Sequence, residues 1–184
     1  MSIKKDRLLL LITAILISIL MLVQPFTVMA STNDDIYLEL EGVKGAGEVK
    51  GFEGAIGVSD FQMSMFNNVS TDSLKTTSKL GVNGITFTKP IDVASSSILQ
   101  QLATNSEVNA VFNFVRQSDI KANLFVYYTV EVSKGKFTNY VQENGNETIT
   151  LIPGQIIVTY YSNDGITKNN ISFGWDFIRN QPIK

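Results

Sequence analysis

The chain has 184 residues, with 15 Lys and Arg against 17 Asp and Glu, and it contains neither His nor Cys. Without them it lacks the commonest general base, the commonest transition-metal ligand and the usual nucleophile–base pairs, and it can form no disulfide. A mildly acidic balance with no basic cluster argues against nucleic acid as a partner and gives no grip on anionic lipid.

Lys4, Lys5 and Arg7 precede an uncharged run, Leu8–Val23, whose polar interruptions are Thr13 and Ser18. Pro25 breaks the run, and Val28-Met29-Ala30 places small enough side chains at the −3 and −1 positions of a cut. This is the layout of a secretory signal peptide over 1–30, cleaved between Ala30 and Ser31. An uncleaved membrane anchor is the competing reading, but the run is short for a span and its end favours removal. The mature form, 31–184, is then not membrane-embedded and has the length of one ordinary domain. An exported chain without Cys must draw its stability from packing, hydrogen bonding and oligomerisation.

Ile36–Glu41 alternates apolar and polar residues, the period of a half-buried strand. Gly42, Gly45, Gly47, Gly51 and Gly54 then punctuate a loop that holds Lys44, Glu48, Lys50 and Glu53. A loop of this composition is expected to project into solvent or onto a partner. Ala55–Phe66 reads as a second strand with a change of phase. Ile56 and Val58 lie on one parity, and Phe61, Met63 and Met65 on the other. Either a bulge near Ser59-Asp60 or a change of sheet there accounts for it. Asn67–Lys79, rich in Ser, Thr and Asn, reads as an exposed loop. Val82–Thr88 is a third strand, which Pro90 stops.

Ala94, Ile98 and Leu102, with Leu99 beside them, give Ile91–Asn105 a helical period, with Asp92 as its N-cap. Val108, Ala110, Phe112 and Phe114 share one strand face, and Leu124, Val126, Tyr128, Val130 and Val132 the next. Lys134-Gly135-Lys136 turns or bulges the chain before Phe137–Gln142. Asn144-Gly145-Asn146 is a hairpin signal. Thr148–Tyr161, interrupted at Pro153-Gly154, leads through Asn163-Asp164-Gly165 into Ile171–Ile178. There Ile171, Phe173, Trp175 and Phe177 alternate, a pattern of core residues. Many strands, one helix and frequent turns predict a mainly β fold: two packed antiparallel sheets forming a small β-barrel with one α-helix.

Four segments carry a family resemblance. They are the opening strand and glycine loop over Ile36–Val58; Ile85-Thr86-Phe87-Thr88-Lys89-Pro90-Ile91-Asp92-Val93-Ala94-Ser95; Ile98-Leu99-Gln100-Gln101-Leu102-Ala103; and Phe173-Gly174-Trp175-Asp176-Phe177. In this order and spacing they resemble the haemolysin-coregulated protein (Hcp) family of type VI secretion systems over Ile36–Pro182. Phe52 stands where that family commonly has His, and Ser96 where it commonly has Pro. The signal peptide is a further departure, because the family's tube subunits assemble in the cytosol.

The resemblance implies a non-enzymatic secreted protein of homohexameric rings that stack into a tube. Secretion-machine components or effectors would be its partners, and no cofactor or metal is implied. It also implies a ring-to-ring loop comprising Val43, Lys44, Gly45, Glu48, Lys50, Gly51, Phe52 and Glu53. The signal peptide adds an alternative, an Hcp-like effector or binding protein exported to the medium or the periplasm independently of that apparatus. A carbohydrate-active β-protein with paired carboxylates is a third reading, although no spacing identifies such a pair. Asp164 and Asp176 do not form a calcium loop. Trp175, at alternating spacing, reads as core before it reads as a sugar platform.

Overall fold

A computed structural model describes residues 35–67, 79–117, 124–163 and 168–183, all within the compact unit Asn33–Lys184. Ala30, Ser31 and most of the Ser/Thr-rich segment 67–79 lie outside the described residues. The strands are β1 (Asp35–Leu40), β2 (Ile56–Val58), β3 (Asp60–Asn67) and β4 (Leu80–Pro90). The helix α1 (Ser95–Thr104) follows. After it come β5 (Val108–Gln117), β6 (Leu124–Glu143), β7 (Asn146–Ile152), β8 (Gln155–Asn163), β9 (Lys168–Asp176) and β10 (Gln181–Pro182). All pairings are antiparallel. The first sheet has the order β10-β9-β8-β6-β5-β1-β2, and the second runs β3-β4-β7-β6.

Strand β6 belongs to both sheets. Its first part pairs with β5 and β8, and Lys136–Glu143 pairs with β7. The passage between them is the predicted irregularity at Lys134-Gly135-Lys136. Lys134 has φ +53°, and its backbone N–H donates to Asn109 Oδ1 at 3.1 Å. A Cβ on Gly135 would meet Leu151 and Val132 side-chain carbons at 2.9 Å, so an added methyl would have to displace them.

The phase change after Val58 is a change of sheet. Ile56 and Val58 enter the core from β2, which pairs with β1, while Phe61 and Met63 enter it from β3, which pairs with β4. Ser59 sits at the corner and donates its backbone N–H to Thr88 O at 2.8 Å. The register irregularity of this segment lies further on, between Ser64 and Met65.

The helix is shorter than the period suggested. Residues 91–94 form a turn in which Asp92 O accepts from Ser95 N and Asp92 Oδ1 from Ala94 N. Asp92 thus caps the turn, while Ala94 is the helix N-cap, with no side-chain bond. The other end closes on Asn105, which is left-handed at φ 50°, and Ser106 N reaches back to Gln101 O.

Leu38, Ile56, Ile85, Phe87, Ile98, Phe112, Val130, Ile149, Leu151 and Ile156 are buried between the sheets and the helix. The expected core role of Ile171 and Phe173 is corrected: they are 71% and 45% exposed. Ile171 ends a cross-strand row Phe114–Tyr128–Tyr160–Ile171, along which half-buried Phe114 and Tyr128 give way to exposed Tyr160. Only Trp175 and Phe177 pack on the core from this part of the chain.

Gly135→Ala forces a methyl group into the bend of β6. It is expected to cost about 1–3 kcal/mol in urea unfolding with the fold retained; an unchanged midpoint would show the bend to be slack.

Candidate functional site

The glycine loop leaves β1 through Gly42 (φ +74°), and Val43 N closes a tight turn on Leu40 O at 3.0 Å. Gly45 N then donates to Gly54 O, Gly54 N to Gly47 O and Gly47 N to Ala55 O, at 2.7 to 2.9 Å. This close pairing is what the glycines permit. A Cβ on Gly45 would sit 2.4 Å from Ala55 O, and one on Gly47 2.6 Å from Phe52 O.

The arm so formed does not simply project, which corrects the sequence expectation. Phe52 stacks on Tyr37 with centroids 4.5 Å apart and planes at 13°. Val49, Phe52 and Val126 pack around Tyr37, Ala55 and Val115, an apolar cluster separate from the main core. Tyr37 has the parity opposite to Ile36 and Leu38, so this cluster covers the outer face of the first sheet. Lys44, Glu48, Lys50 and Glu53 stay exposed, and Glu53 Oε2 accepts from Gly51 N at 2.9 Å. Of the eight loop residues singled out from sequence, Phe52 and Val43 are thus half-buried and Gly45 buried, while Gly51 and the four charged residues face outward.

The arm is also tied to the turn before α1, because Ala46 N donates to Asp92 Oδ2 at 3.3 Å. Asp92 Oδ1 lies 2.8 Å from Lys89 Nζ. Lys89 is fully buried, and its ammonium reaches Glu147 Oε2 at 2.6 Å, Pro90 O at 2.8 Å and Ser95 Oγ at 3.1 Å. Glu147 Oε1 accepts from Tyr140 OH at 2.7 Å. Burial pushes the Glu147 carboxyl up, but hydrogen bonds from Lys89, Ser95 and Tyr140 and the Lys89 charge outweigh it and hold the group below its ordinary value. Tyr140 is pushed up to about 12 by burial, by its bond to Glu147 and by that residue's charge.

Sequence reasoning passed over this pair. The signal was parity: Lys89 continues the inward face of Ile85 and Phe87, and Glu147 that of Ile149 and Leu151. The arrangement is structural in character, since both carboxylates are consumed in holding one buried cation. Among the described residues no group of three or more Asp and Glu is placed to hold a metal. Asp176 accepts from Arg179 N and Gln155 Nε2, and these bonds hold its carboxyl below the ordinary range.

Residues 37–160 match the family described as Type VI secretion system effector, Hcp. No protein with a curated description matches the sequence. Among solved structures the chain is similar to Hcp1 from Salmonella typhimurium, with TM-score 0.65 and 20% identity, covering 81% of this chain and 98% of that one. It is also similar to a type six secretion system protein, with TM-score 0.70 and 19% identity, over 82% and 99% of the two chains. A mutant Hcp1 from the E. coli EAEC 042 pathovar gives TM-score 0.62 and 23% identity, over 75% and 95%.

Two outcomes test the buried pair. Lys89→Met strands Glu147 and should cost about 3–5 kcal/mol at neutral pH, while Lys89→Met with Glu147→Leu should cost less in urea unfolding. Because Glu147 has a depressed folded pKa, its stabilisation is complete above its unfolded value. It is lost as pH falls from there through the folded value. Unfolding free energy should therefore drop in this acid window, and Glu147→Gln should flatten the drop.

Proposed function

This chain belongs to the Hcp family of type VI secretion proteins, and on that premise we propose that it is a non-enzymatic subunit of homohexameric rings. The observation that carries the reading is the state of the second sheet. The outer side of β3 and the side of β6 beyond Gly135 that faces away from β7 have no strand partner among the described residues. Unpaired edges on both sides of one sheet are a liability in isolation and a joint in an assembly. Successive copies joined edge to edge, each rotated alike, close into a ring.

In this reading Val43, Lys44, Gly45, Glu48, Lys50, Gly51, Phe52 and Glu53 form the contact between stacked rings. The glycine pairing and the Phe52–Tyr37 stack support it, because they hold the backbone while the four charged side chains stay exposed towards a neighbour. Machine components or effectors are the further partners, and the destination is outside the cell.

The N-terminal residues favour a second reading of the route. A leader cut between Ala30 and Ser31 would send the chain through general secretion. It would then act in the medium or the periplasm as an effector or binding protein apart from the type VI machine.

Negative-stain electron microscopy of the mature protein should show six-fold rings, and a monomer throughout would overturn the ring reading. Glu48→Lys with Lys50→Glu touches exposed side chains alone, so it should leave single rings intact and reduce stacking; unaltered stacks would remove the loop from that role. Intact mass of the released protein decides the route. A chain beginning at Ser31, released without a working type VI machine, supports general secretion. A chain that keeps residues 1–30 and depends on the machine supports the tube subunit.

A further inference from the structure

Asn144-Gly145, a hairpin signal in the sequence, also carries a chemistry that the hairpin does not use. The side-chain carbonyl carbon of an Asn lies within reach of the next residue's backbone nitrogen, and glycine hinders that approach least. The described residues contain two such pairs, Asn83-Gly84 and Asn144-Gly145. The fold treats them differently.

Asn144 and Gly145 are both exposed, with φ +50° and +79°, the left-handed pair of a two-residue turn. Nothing lies within 4 Å of the place a Gly145 Cβ would take, and among the described residues the Asn144 side chain has no hydrogen-bond partner. The side chain and the peptide after it can therefore turn towards each other. Asn83 Nδ2 instead donates to Ser64 Oγ at 2.9 Å. Gly84 is buried, and a Cβ there would meet Ile152 Cδ1 at 2.8 Å and Leu151 O at 3.1 Å. Rotation at that peptide is opposed by packed neighbours.

We infer that Asn144 is a site of spontaneous modification, converted to aspartate and isoaspartate in the folded protein, while the fold protects Asn83. The Gly145 nitrogen attacks Asn144 Cγ. A new C–N bond forms as the bond to the side-chain nitrogen breaks, and ammonia leaves with the Gly145 N–H proton. One water then opens the cyclic imide. Addition at the side-chain carbonyl gives aspartate. Addition at the main-chain carbonyl gives isoaspartate, which lengthens the main chain by one carbon.

The product matters because of where the turn stands. Glu143 and Asn146 face each other across the hairpin, Asn146 also pairs with Pro90, and Gly145 O accepts from Ile91 N at 3.1 Å. A turn of two residues has no slack for a further main-chain carbon, so isoaspartate breaks at least one of these ties. The residue after Asn146 is Glu147, so the loss falls beside the buried ion pair. Aspartate adds a charge but no main-chain atom, and leaves the ties in place.

Ageing the purified protein in warm, mildly alkaline buffer tests this, read by tandem mass spectrometry of its peptides and by isoaspartyl methyltransferase labelling. In the folded protein Asn144 should convert at least tenfold faster than Asn83, with isoaspartate the larger product. In urea the two should convert at similar rates. Aged protein should unfold at lower urea than fresh protein. Asn144→Gln should hold its midpoint on ageing, and Asn144→Asp should start at the midpoint of fresh wild type. Folded protein that keeps Asn144 while the urea-unfolded chain loses it would overturn the inference. Equal conversion of Asn83 and Asn144 in the fold would overturn the protection of one over the other. An unchanged midpoint in protein fully converted to isoaspartate at 144 would overturn the tie between this turn and the ion-pair end of the fold.

Discussion

Lys89, next to last in β4, has its ammonium group buried, and that end of the fold is arranged around its charge. An unpaired cation there would cost several kcal/mol of desolvation. Glu147 from β7, Asp92 from the next turn, the Pro90 carbonyl and the Ser95 hydroxyl supply the compensating oxygens. Meeting that demand fixes the positions of three elements. The hairpin of β6 and β7 is held by Glu147 and Tyr140, the entry to α1 by Asp92 and Ser95, and the glycine arm by the other oxygen of Asp92.

A second constraint is the length of β6. Twenty residues are too many for one small sheet, and the strand is shared between two by bending at Lys134-Gly135. The bend leaves the β5 side of Lys136–Glu143 without a strand partner among the described residues, while the corner at Ser59 carries β3 away from β2 to the edge of the second sheet. The result is a domain whose interior is packed and hydrogen-bonded but whose sheets keep open edges. For a chain without disulfides, pairing those edges with another copy would hide them and add stability.

Much of this was legible along the chain. Alternation marked most of the strands, because most show one face to the core; it misjudged Ile171 and Phe173 of β9 and gave no sign of β10. The phase change at Ser59 was visible because Ile56 and Val58 and then Phe61 and Met63 must all point inward. The glycine loop was legible as a loop but not in its course. Nothing in the local sequence pairs Phe52 with Tyr37, and that contact turns the arm back on its own sheet. The Lys89–Glu147 pair was hidden for a similar reason: a charged residue at an inward position looks like a strand end until its partner, 58 residues away, is known.

By itself, the sequence determined most of the strands, the helix after Pro90, the phase change at Ser59 and the family, because these rest on local periodicity and on ordered motifs; that the phase change is a change of sheet and not a bulge was left to the fold. The tertiary structure alone decided which alternating residues are buried. Ile156 and Ile171 read alike in sequence, yet one is fully buried in the core and the other is exposed. Burial depends on what packs across a face, and a strand's own residues do not encode how far the opposite sheet extends.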